Sequence, residues 1–435
     1  MSRIPTSSIG RTARLAALPA EAAGRSTAGF LRRLAGHDPE AIAESVATRN
    51  AQRTAEVLGD LKGVALKAGQ FLNTVDAMLY DPESPWRTAF ASLHEETPGL
   101  PFPDIEPVLI EELGRGWHRR LRRFDPTPVA AASLGQVHRA AVDGRDVAVK
   151  VQYPGVREAV RADLRVLAAG LGAFRMTRRG RQLRPLVGEL RRRLLEELDY
   201  VHEGDAQDAY ARAFAGDRDV RVPDVLLATP RILVTEWLPG TPFVPLALHG
   251  TQEERDWMGR AYQRFLLSGP TRTGLLHADP HPGNFRQLAD GRLGVLDFGA
   301  VQALPGGWPR SFGRLISIVL RGDGPAILEG LREERFLRPG VDVDPYDLAA
   351  FLAPFAEPAD SEVFHYRPQW LRSVFGSSAG HEERELSVLD ALTLPSDQLL
   401  TQRVWLSGVG VLCQLRARVR VREELLRWLP GFVPA

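Results

Sequence analysis

The amino-acid sequence predicts an α+β protein in which two lobes follow a helical leader. Apolar residues recur at helical spacing from about 40 to 80, β-type segments cluster between 124 and 237, and the rest of the chain is largely helical. At 435 residues the chain is also longer than a single hydrophobic core usually allows. The predicted domains are a flexible basic tail at 1–39, a helical extension at 40–118, a small lobe with inserted helices at 119–238 and a larger, mostly helical lobe at 239–435.

The composition is that of an ordinary globular protein. Hydrophobic residues make up 44% and charged residues 25% of the chain, and 55 basic side chains nearly cancel 54 acidic ones. A charge balance this close to neutral argues against a dedicated nucleic-acid binder. The single cysteine, Cys413, excludes an intrachain disulfide and a thiolate metal cluster, and it favours a reducing, cytoplasmic setting.

Two features of the sequence bear on membranes. Residues 1–36 carry six arginines against one acid, Glu21, without a secretory hydrophobic region. We interpret them as a flexible tail, and attraction to anionic lipid or organelle targeting remains the alternative. The best apolar stretch, 404–413, is about half of the roughly 18 to 20 residues that a helix needs to cross a bilayer. We therefore expect at most a peripheral membrane association.

The elements of the small lobe can be placed from helix breakers and from alternation. Prolines at 98, 101 and 103 separate the leader from a short helix at 104–113, which Gly114 ends. Alternating residues on both sides of Asp143-Gly144 predict two strands joined by a turn. After them come helices at about 156–174 and 185–204, and then a second strand pair at 222–228 and 231–237.

The strongest chemical signal is the string HADPHPGN at 277–284, followed by Asp-Phe-Gly at 297–299. A kinase catalytic loop has an Asp, four residues and an Asn, and the Asp of a later Asp-Phe-Gly holds magnesium. Asp279 would orient the acceptor hydroxyl or take its proton, while Asn284 and Asp297 would offer oxygen ligands to Mg²⁺. Taken singly, these residues could merely begin a turn or end a strand, but their joint spacing favours chemistry.

The two histidines of this string suggest a zinc site as an alternative. His277 and His281 do not form the helical His-Glu-x-x-His pattern of zinc proteases, and Pro280 and Pro282 oppose a helix. We therefore expect ATP or ADP with Mg²⁺ as the cofactors.

Lys150 lies in a predicted strand of small apolar residues, where a kinase places the cation that reaches the α and β phosphates. A charge on an edge strand is the alternative. Within the predicted helix at 185–204, Glu197 falls in the apolar sector, whereas Asp199 and Glu203 project away from it. Because a carboxylate on a buried stripe requires a cation, we predict a Lys150–Glu197 pair, with a solvated Glu197 as the alternative.

The predicted nucleotide-covering loop departs from the kinase pattern. A protein kinase has glycines here so that backbone amides can approach the phosphates, whereas this chain has three alanines and a serine before Gly135. We expect nucleotide binding with altered phosphate geometry rather than ordinary protein phosphorylation. The predicted nucleotide contacts are Ala130, Ala131, Ala132, Ser133, Gln136, Lys150, Glu236 and Leu238.

Together these motifs resemble the UbiB-type (AarF/UbiB, ubiquinone-biosynthesis) atypical kinases. The alanine-rich loop AAASLGQVH at 130–138, VAVKVQYPGV at 147–156, ELD at 197–199 and the catalytic-loop string occur in the family's order. KAGQ at 67–70 matches the family's KxGQ signature. The resemblance covers about residues 60 to 305, and it implies a bilobal protein-kinase-like fold with an N-terminal helical extension that carries the KxGQ motif.

The resemblance also implies a regulatory role for the leader. In the family the KxGQ segment packs over the active site, which would place Lys67 and Gln70 near the nucleotide and exclude a peptide acceptor. Lys67 would then restrain phosphoryl transfer, and a surface lysine before a glycine kink is the alternative. The ELD acids Glu197 and Asp199 would lie close by, and the sequence leaves open whether each prefers Lys150 or Lys67.

Three functions are compatible with these features. The first is an atypical kinase or ATPase that binds a magnesium nucleotide and supports isoprenoid-quinone or lipid metabolism, with a peripheral lipid or quinone-pathway partner and no nucleic acid. The second is a small-molecule phosphotransferase, because HADPHPGN also resembles the loop of aminoglycoside and choline phosphotransferases. The third is a nucleotide-gated, lipid-handling scaffold with little turnover.

Overall fold

The computed structural model describes residues 99–132, 134–162, 164, 192, 194–376, 388, 391–393 and 399–434. The chain divides into two compact units. The first contains the residues up to His202 together with Leu226–Thr235, and the second contains Glu203–Val225 and Glu236–Ala435. The predicted tail, the leader with its KxGQ segment and Ser133 lie outside the described residues, so the expectations about them stay predictions.

Helices and strands both contribute to the described part of the chain, in agreement with the predicted α+β class. The strands are β1 Ala130–Ala131, β2 Gly135–Val142, β3 Arg145–Gln152, β4 Val220–Arg221, β5 Val225–Ala228, β6 Ile232–Glu236, β7 Gly240–Pro242, β8 Leu275–His277, β9 Phe285–Leu288, β10 Leu293–Val295, β11 Val301–Ala303, β12 Phe364–His365 and β13 Arg418–Val419. The helices are α1 Phe102–Leu113, α2 Trp117–Arg120, α3 Tyr200–Ala213, α4 Phe243–His249, α5 Gln252–Thr273, α6 Arg310–Arg321, α7 Gly324–Glu333, α8 Pro345–Asp360, α9 Pro368–Gly376, α10 Leu399–Leu415 and α11 Val421–Trp428.

The first unit contains a five-stranded sheet of order β1-β2-β3-β6-β5. Its centre is the predicted hairpin of β2 and β3, in which Val142 pairs with Arg145. Asp143 and Gly144 both have positive φ, 49° and 81°, as a two-residue turn of type I′ requires. This turn matches the right-handed twist of the strands and fixes the register that places Lys150 opposite Val137.

Helix α1 closes one face of this sheet. It begins after Pro101 and ends at Gly114, which confirms the short helix predicted before that glycine. Its buried residues pack with the hairpin and with Trp117 of α2 in one apolar cluster. The cluster consists of Ile105, Val108, Leu109, Trp117, Leu121, Ala140, Val147, Val149, Val151, Ile232 and Val234.

The helix predicted over 185–204 is wrong at its C-terminal end. Helical residues 194–196 are followed by a break at 197–199, and α3 begins at Tyr200. The break changes the helical phase, so Glu203, predicted to project away from the apolar sector, is buried.

Hydrogen bonds from distant residues explain the break. The Leu198 carbonyl accepts from Gln152 Nε2 at 3.2 Å and from Arg157 Nη2 at 2.6 Å, both far away in the sequence. Asp199 Oδ1 accepts from the backbone N–H of Val201 at 3.1 Å, as a residue at the start of a helix does. The chain therefore leaves the helix here because the Leu198 carbonyl in the break is satisfied by side-chain donors and Asp199 caps a new helix.

The second unit is built around α5 and a four-stranded sheet of order β4-β10-β9-β7. Helix α5 starts with a capping box between Thr251 and Glu254. All three residues of β10 are buried, and this strand ends two residues before Asp297. The separate pair of β8 with β11 leads into the loop that carries Asp279.

The remainder of the second unit is mainly helical, as predicted, although β12 and β13 add an unpredicted antiparallel pair. Cys413 is buried in α10, and burial raises the pKa of its thiol to about 12. Among the described residues, no helix is both long enough and apolar enough to cross a bilayer.

Candidate active site

The loop after β8 is anchored by a buried histidine. His277 Nε2 lies 2.6 Å from the carbonyl oxygen of Asp297, and because a carbonyl only accepts, this nitrogen carries the proton. Burial lowers the pKa of His277, and the bond to Asp297 opposes that shift. Tyr210, Phe265 and Phe298 surround the ring at centroid distances of 6.4, 5.4 and 5.3 Å. The neutral imidazole therefore ties the two predicted catalytic segments together.

Asp279 and Asn284 contact each other directly. Asn284 Nδ2 donates to Asp279 Oδ2 at 2.9 Å and to the Asp279 carbonyl at 3.1 Å. With both donors of the amide directed at Asp279, the amide oxygen is the end that remains for a metal. A 3₁₀ turn at Pro282–Asn284 sets this geometry, and His281 Nδ1 accepts from the backbone N–H of Gly283 at its start.

Helix α5 supports the same loop from below. The Tyr262 hydroxyl donates to the Pro280 carbonyl at 2.8 Å, and the ring is fully buried. Burial, together with the nearby charge of Asp279, raises the pKa of Tyr262 well above its usual value. The phenol thus stays protonated and keeps its hydrogen bond to the loop.

The Asp-Phe-Gly segment lies beside a second carboxylate that the sequence reasoning missed. Asp297 Oδ1 accepts from the backbone N–H of Gly299 at 2.9 Å. A Cβ placed on Gly299 would be 3.3 Å from both Asp297 Oδ1 and Glu203 Oε2, so both acids border this glycine. Helical periodicity would have placed Glu203 on the buried face of α3 only if the helix had been started at Tyr200.

The predicted metal ligands of this site are one amide oxygen and one carboxylate. Among the described residues, no group of three or more His, Cys, Asp or Glu side chains could hold a metal ion. Mg²⁺ usually binds to one or two carboxylates and completes its shell with water and substrate phosphates. Asn284 and Asp297 offer this kind of partial set.

Lys150 occupies the predicted position in β3, between the fully buried Val149 and Val151. Its ammonium nitrogen lies 5.1 Å from the centroid of the Tyr200 ring, a cation–π distance. Glu197 is partly buried in the turn before α3, and its predicted pairing with Lys150 stays a prediction. So does the choice of Glu197 and Asp199 between Lys150 and Lys67.

The alanine-rich segment forms a narrow hairpin at the sheet edge. Ala130 pairs with Val137 and Ala131 with Gln136, while the N–H of Ala132 donates to the Gly135 carbonyl at 2.8 Å. Ala130 and Ala131 are exposed, so this part of the hairpin presents methyl groups. Their contact with a nucleotide stays a prediction.

Gln136, predicted as a nucleotide contact, is completely buried and already engaged. Its Oε1 accepts from Leu100 N at 2.7 Å, and its Nε2 donates to Leu100 O at 3.1 Å and to His138 Nε2 at 2.9 Å. His138 Nδ1 donates to the Asp125 carbonyl at 2.8 Å. We call Gln136, His138 and Leu100 the buried clamp, which fastens the segment two residues before α1 to the strand after the alanine-rich loop.

Glu236 and Leu238, the remaining predicted nucleotide contacts, lie where β6 leads into the second unit. The Glu236 carboxylate pairs with Arg221, and its backbone N–H donates to the Asp224 carbonyl at 2.9 Å. Leu238 is buried. None of these contacts tests whether either residue touches a nucleotide, so both assignments stay predictions.

Comparison with known proteins identifies relatives over much of the chain. The model of the ABC1 atypical kinase-like domain matches residues 92–330. "Atypical kinase coq-8, mitochondrial" of Caenorhabditis elegans is 31% identical over 350 residues, which is 77% of this chain and 46% of that protein. "Atypical kinase COQ8, mitochondrial" of Saccharomyces cerevisiae is 30% identical over 306 residues, 69% of this chain and 60% of that protein. The chain thus spans about half the length of the curated relatives it matches.

A solved structure extends the similarity to nearly the whole chain. The Rv3197–erythromycin complex from Mycobacterium tuberculosis has a TM-score of 0.71 and 35% sequence identity, covering 92% of this chain and all of that one. The predicted protein-kinase-like α+β fold and the predicted resemblance are therefore confirmed. The chain belongs to the ABC1, or UbiB-type, atypical kinase-like family.

Proposed function

We propose that this protein binds ATP or ADP together with Mg²⁺ and acts as an atypical kinase or ATPase. The observation that carries the proposal is the bond network of the second unit, in which Asn284 is fixed on Asp279 and His277 is fixed on Asp297. A kinase needs an Asp, an Asn and a second Asp held in fixed positions, because positioning and charge provide nearly all of its catalysis.

Each side chain has a defined task in this proposal. Asp279 orients an acceptor hydroxyl or water and takes up its proton. Asn284 and Asp297 hold the metal, which when bound neutralises charge on the phosphates. Lys150 contacts the α and β phosphates, and the alanine-rich hairpin covers the nucleotide. The contact of Asn284 with Asp279 and that of His277 with the Asp297 carbonyl support the roles given to the loop.

The biological setting belongs to the proposal as well. We assign the activity to isoprenoid-quinone or lipid metabolism, in the cytoplasm or peripherally at a membrane, because relatives of this family include the COQ8 kinases. Lys67, Gln70 and Asp199 would regulate the site, with the leader keeping polypeptide acceptors away.

Nucleotide binding and hydrolysis test this function directly. ATP and ADP, each added with Mg²⁺, should raise the melting temperature of the wild-type protein in a thermal-shift titration. The same titration without Mg²⁺ shows how much of the rise depends on the metal. Hydrolysis of radiolabelled ATP should depend on Asp279 and should be compared with and without lipid vesicles or quinone-precursor phenols. Binding without turnover under all conditions would favour the scaffold, and transfer to an aminoglycoside or choline would favour the phosphotransferase. Absence of nucleotide binding would contradict the proposal.

A macrolide-binding function is a second candidate, supported by one comparison. The solved relative that aligns over its whole length is a complex with erythromycin. Calorimetric titration of this protein with erythromycin, with and without ATP, tests the candidate. Saturable binding would support the candidate. Absence of binding at erythromycin concentrations well above the dissociation constants usual for specific ligands would exclude it.

A further inference from the structure

Tyr200 lies where three parts of the first unit meet. It is the first residue of α3, directly after the turn that carries Glu197 and Asp199, and only 2% of its surface is exposed. Its ring faces the Lys150 ammonium at 5.1 Å. Its backbone N–H donates to the Pro230 carbonyl at 3.2 Å, which ties the start of α3 to the turn between β5 and β6.

Gly135 makes room for the other end of the tyrosine. A Cβ at this position would be 2.8 Å from the Tyr200 hydroxyl and would overlap the Val151 carbonyl oxygen. Gly135 starts β2 immediately after the alanine-rich loop, and Val151 follows Lys150 in β3. The same tyrosine therefore packs against the loop's return strand and faces the lysine.

Lys150, the residue that faces Tyr200, is of a type that is rare in this sequence. Only three of its 55 basic residues are lysines, at positions 62, 67 and 150, and all the others are arginines. A lysine ammonium is a compact charge, whereas a guanidinium is a wide plane with fixed donor directions. A ring face can fix the position of a point charge through its quadrupole, without taking up a hydrogen-bond donor of the ammonium.

We propose that Tyr200 is a positioning residue that holds the Lys150 ammonium and the alanine-rich hairpin in one arrangement for binding phosphates. The ring contributes the cation–π attraction, and the hydroxyl end contributes the contact with Gly135. The proposal rests on the proposed nucleotide binding. Its competitor is a purely structural role, in which Tyr200 only fills apolar space at the start of α3.

The scarcity of lysine allows the contact to be observed without nucleotide. In protein labelled with ¹³C at lysine Cε, three resonances are expected, and Lys150→Arg assigns the one of interest. The aromatic ring should move that resonance upfield. Tyr200→Phe should keep the shift and Tyr200→Leu should abolish it, whereas Tyr153→Leu, at a partly buried tyrosine of the same unit, should leave it in place. A resonance indifferent to Tyr200→Leu would overturn the contact.

A double-mutant cycle then measures the consequence for nucleotide binding. Tyr200→Leu should weaken ATP binding by roughly tenfold, within the range of cation–π contacts, and Tyr200→Phe should restore most of the affinity. In a Lys150→Met background, Tyr200→Leu should cause no further loss. An equal loss in both backgrounds would identify a structural role and overturn the proposal.

Controls separate failure of folding from failure of the idea. If Tyr200→Leu does not fold, pentafluorophenylalanine at position 200 keeps the ring volume while removing its negative face, and it should weaken ATP binding to a similar extent. Unchanged binding there would equally contradict the proposal. If wild-type protein binds no nucleotide, the proposed function fails, while the lysine resonance still decides whether Tyr200 positions Lys150.

Discussion

The loop at 277–284 in the second unit and the alanine-rich hairpin of the first unit are fixed in different ways. In the loop, Asn284, which is proposed to hold the metal, also fixes the backbone by donating to Asp279, and His277 fixes it by donating to the Asp297 carbonyl. In the hairpin, the exposed alanines carry no polar group, and buried neighbours such as Gln136 and Tyr200 lie behind them. The loop keeps the charged residues of the kinase pattern, whereas the hairpin has alanines where that pattern has glycines.

The largest effect is expected in the second unit, at the Asp-Phe-Gly segment. Asp297→Asn removes the only carboxylate of the proposed metal set, so Mg²⁺-dependent nucleotide binding should weaken by at least about 100-fold, beyond what loss of a ligand's supporting partner usually costs. Thermal-shift titration with nucleotide and Mg²⁺ measures it. Asp290→Asn, in an exposed turn of the same unit, is the matched control. Wild-type affinity in Asp297→Asn would remove the metal assignment.

The second effect concerns packing behind the hairpin. Gly135→Ala should lower the free energy of unfolding by about 1–3 kcal/mol, because the new methyl overlaps the Val151 carbonyl and crowds Tyr200. Gly410→Ala is the control, since a Cβ there meets no described atom within 4 Å and the position is inside α10. That change should stabilise the protein slightly, by about 0.5–1 kcal/mol. Denaturant unfolding of both variants gives the values. If Gly135→Ala were as stable as the wild-type protein, lack of space for a Cβ would not be the reason for glycine at position 135.

The buried clamp predicts a smaller, pH-dependent effect. Burial lowers the pKa of His138 below its usual value of 6.5, although the Asp125 carbonyl opposes this. Below pH 6.5 the unfolded chain therefore takes up a proton that the folded protein refuses, so stability falls as the pH falls towards the folded-state pKa. His138→Gln should reduce the slope of melting temperature against pH between 7 and 5. The control, His118→Gln at an exposed position of α2, should keep the wild-type slope, and identical slopes in all three proteins would exclude the clamp as a contributor.

The smallest effect is expected at the alanines themselves. Ala131→Gly or Ala132→Gly adds backbone freedom without disturbing buried groups, so the fold should persist while the ratio of ATP to ADP affinity changes by a few fold. Calorimetry with both nucleotides is the measurement. An unchanged ratio in both variants would mean that the loop's departure from glycine has no part in nucleotide selection.

The sequence predicted best those features that depend on local spacing. Asp279, Asn284 and Asp297 are recognisable because an Asp, an Asn and an Asp-Phe-Gly recur at a fixed distance, and the structure brings Asp279 and Asn284 into contact. The hairpin at Asp143-Gly144 was predictable for a similar reason, since a two-residue turn limits the register. These signals need no knowledge of what packs against them.

Features that depend on distant residues were missed. Periodicity could not reveal the break at 197–199, because the donors to the Leu198 carbonyl are Gln152 and Arg157, more than 40 residues away. Glu203 was therefore assigned to the wrong face of the helix, and Tyr200 was not singled out. Gln136 was assigned to the nucleotide from its motif, yet its alternation with His138 and Ala140 places all three on the inner face of β2, where the structure buries them.

The single cysteine has a practical consequence for experiments on the hairpin. Because Cys413 is buried and its thiol pKa is about 12, it is almost entirely unionised near neutral pH and shielded from reagents. The native sequence can therefore serve unchanged as a background for site-specific dyes. A cysteine introduced at the exposed position of Ala131 should be the preferred target for a maleimide fluorophore, and its emission would test in real time whether a nucleotide approaches the hairpin.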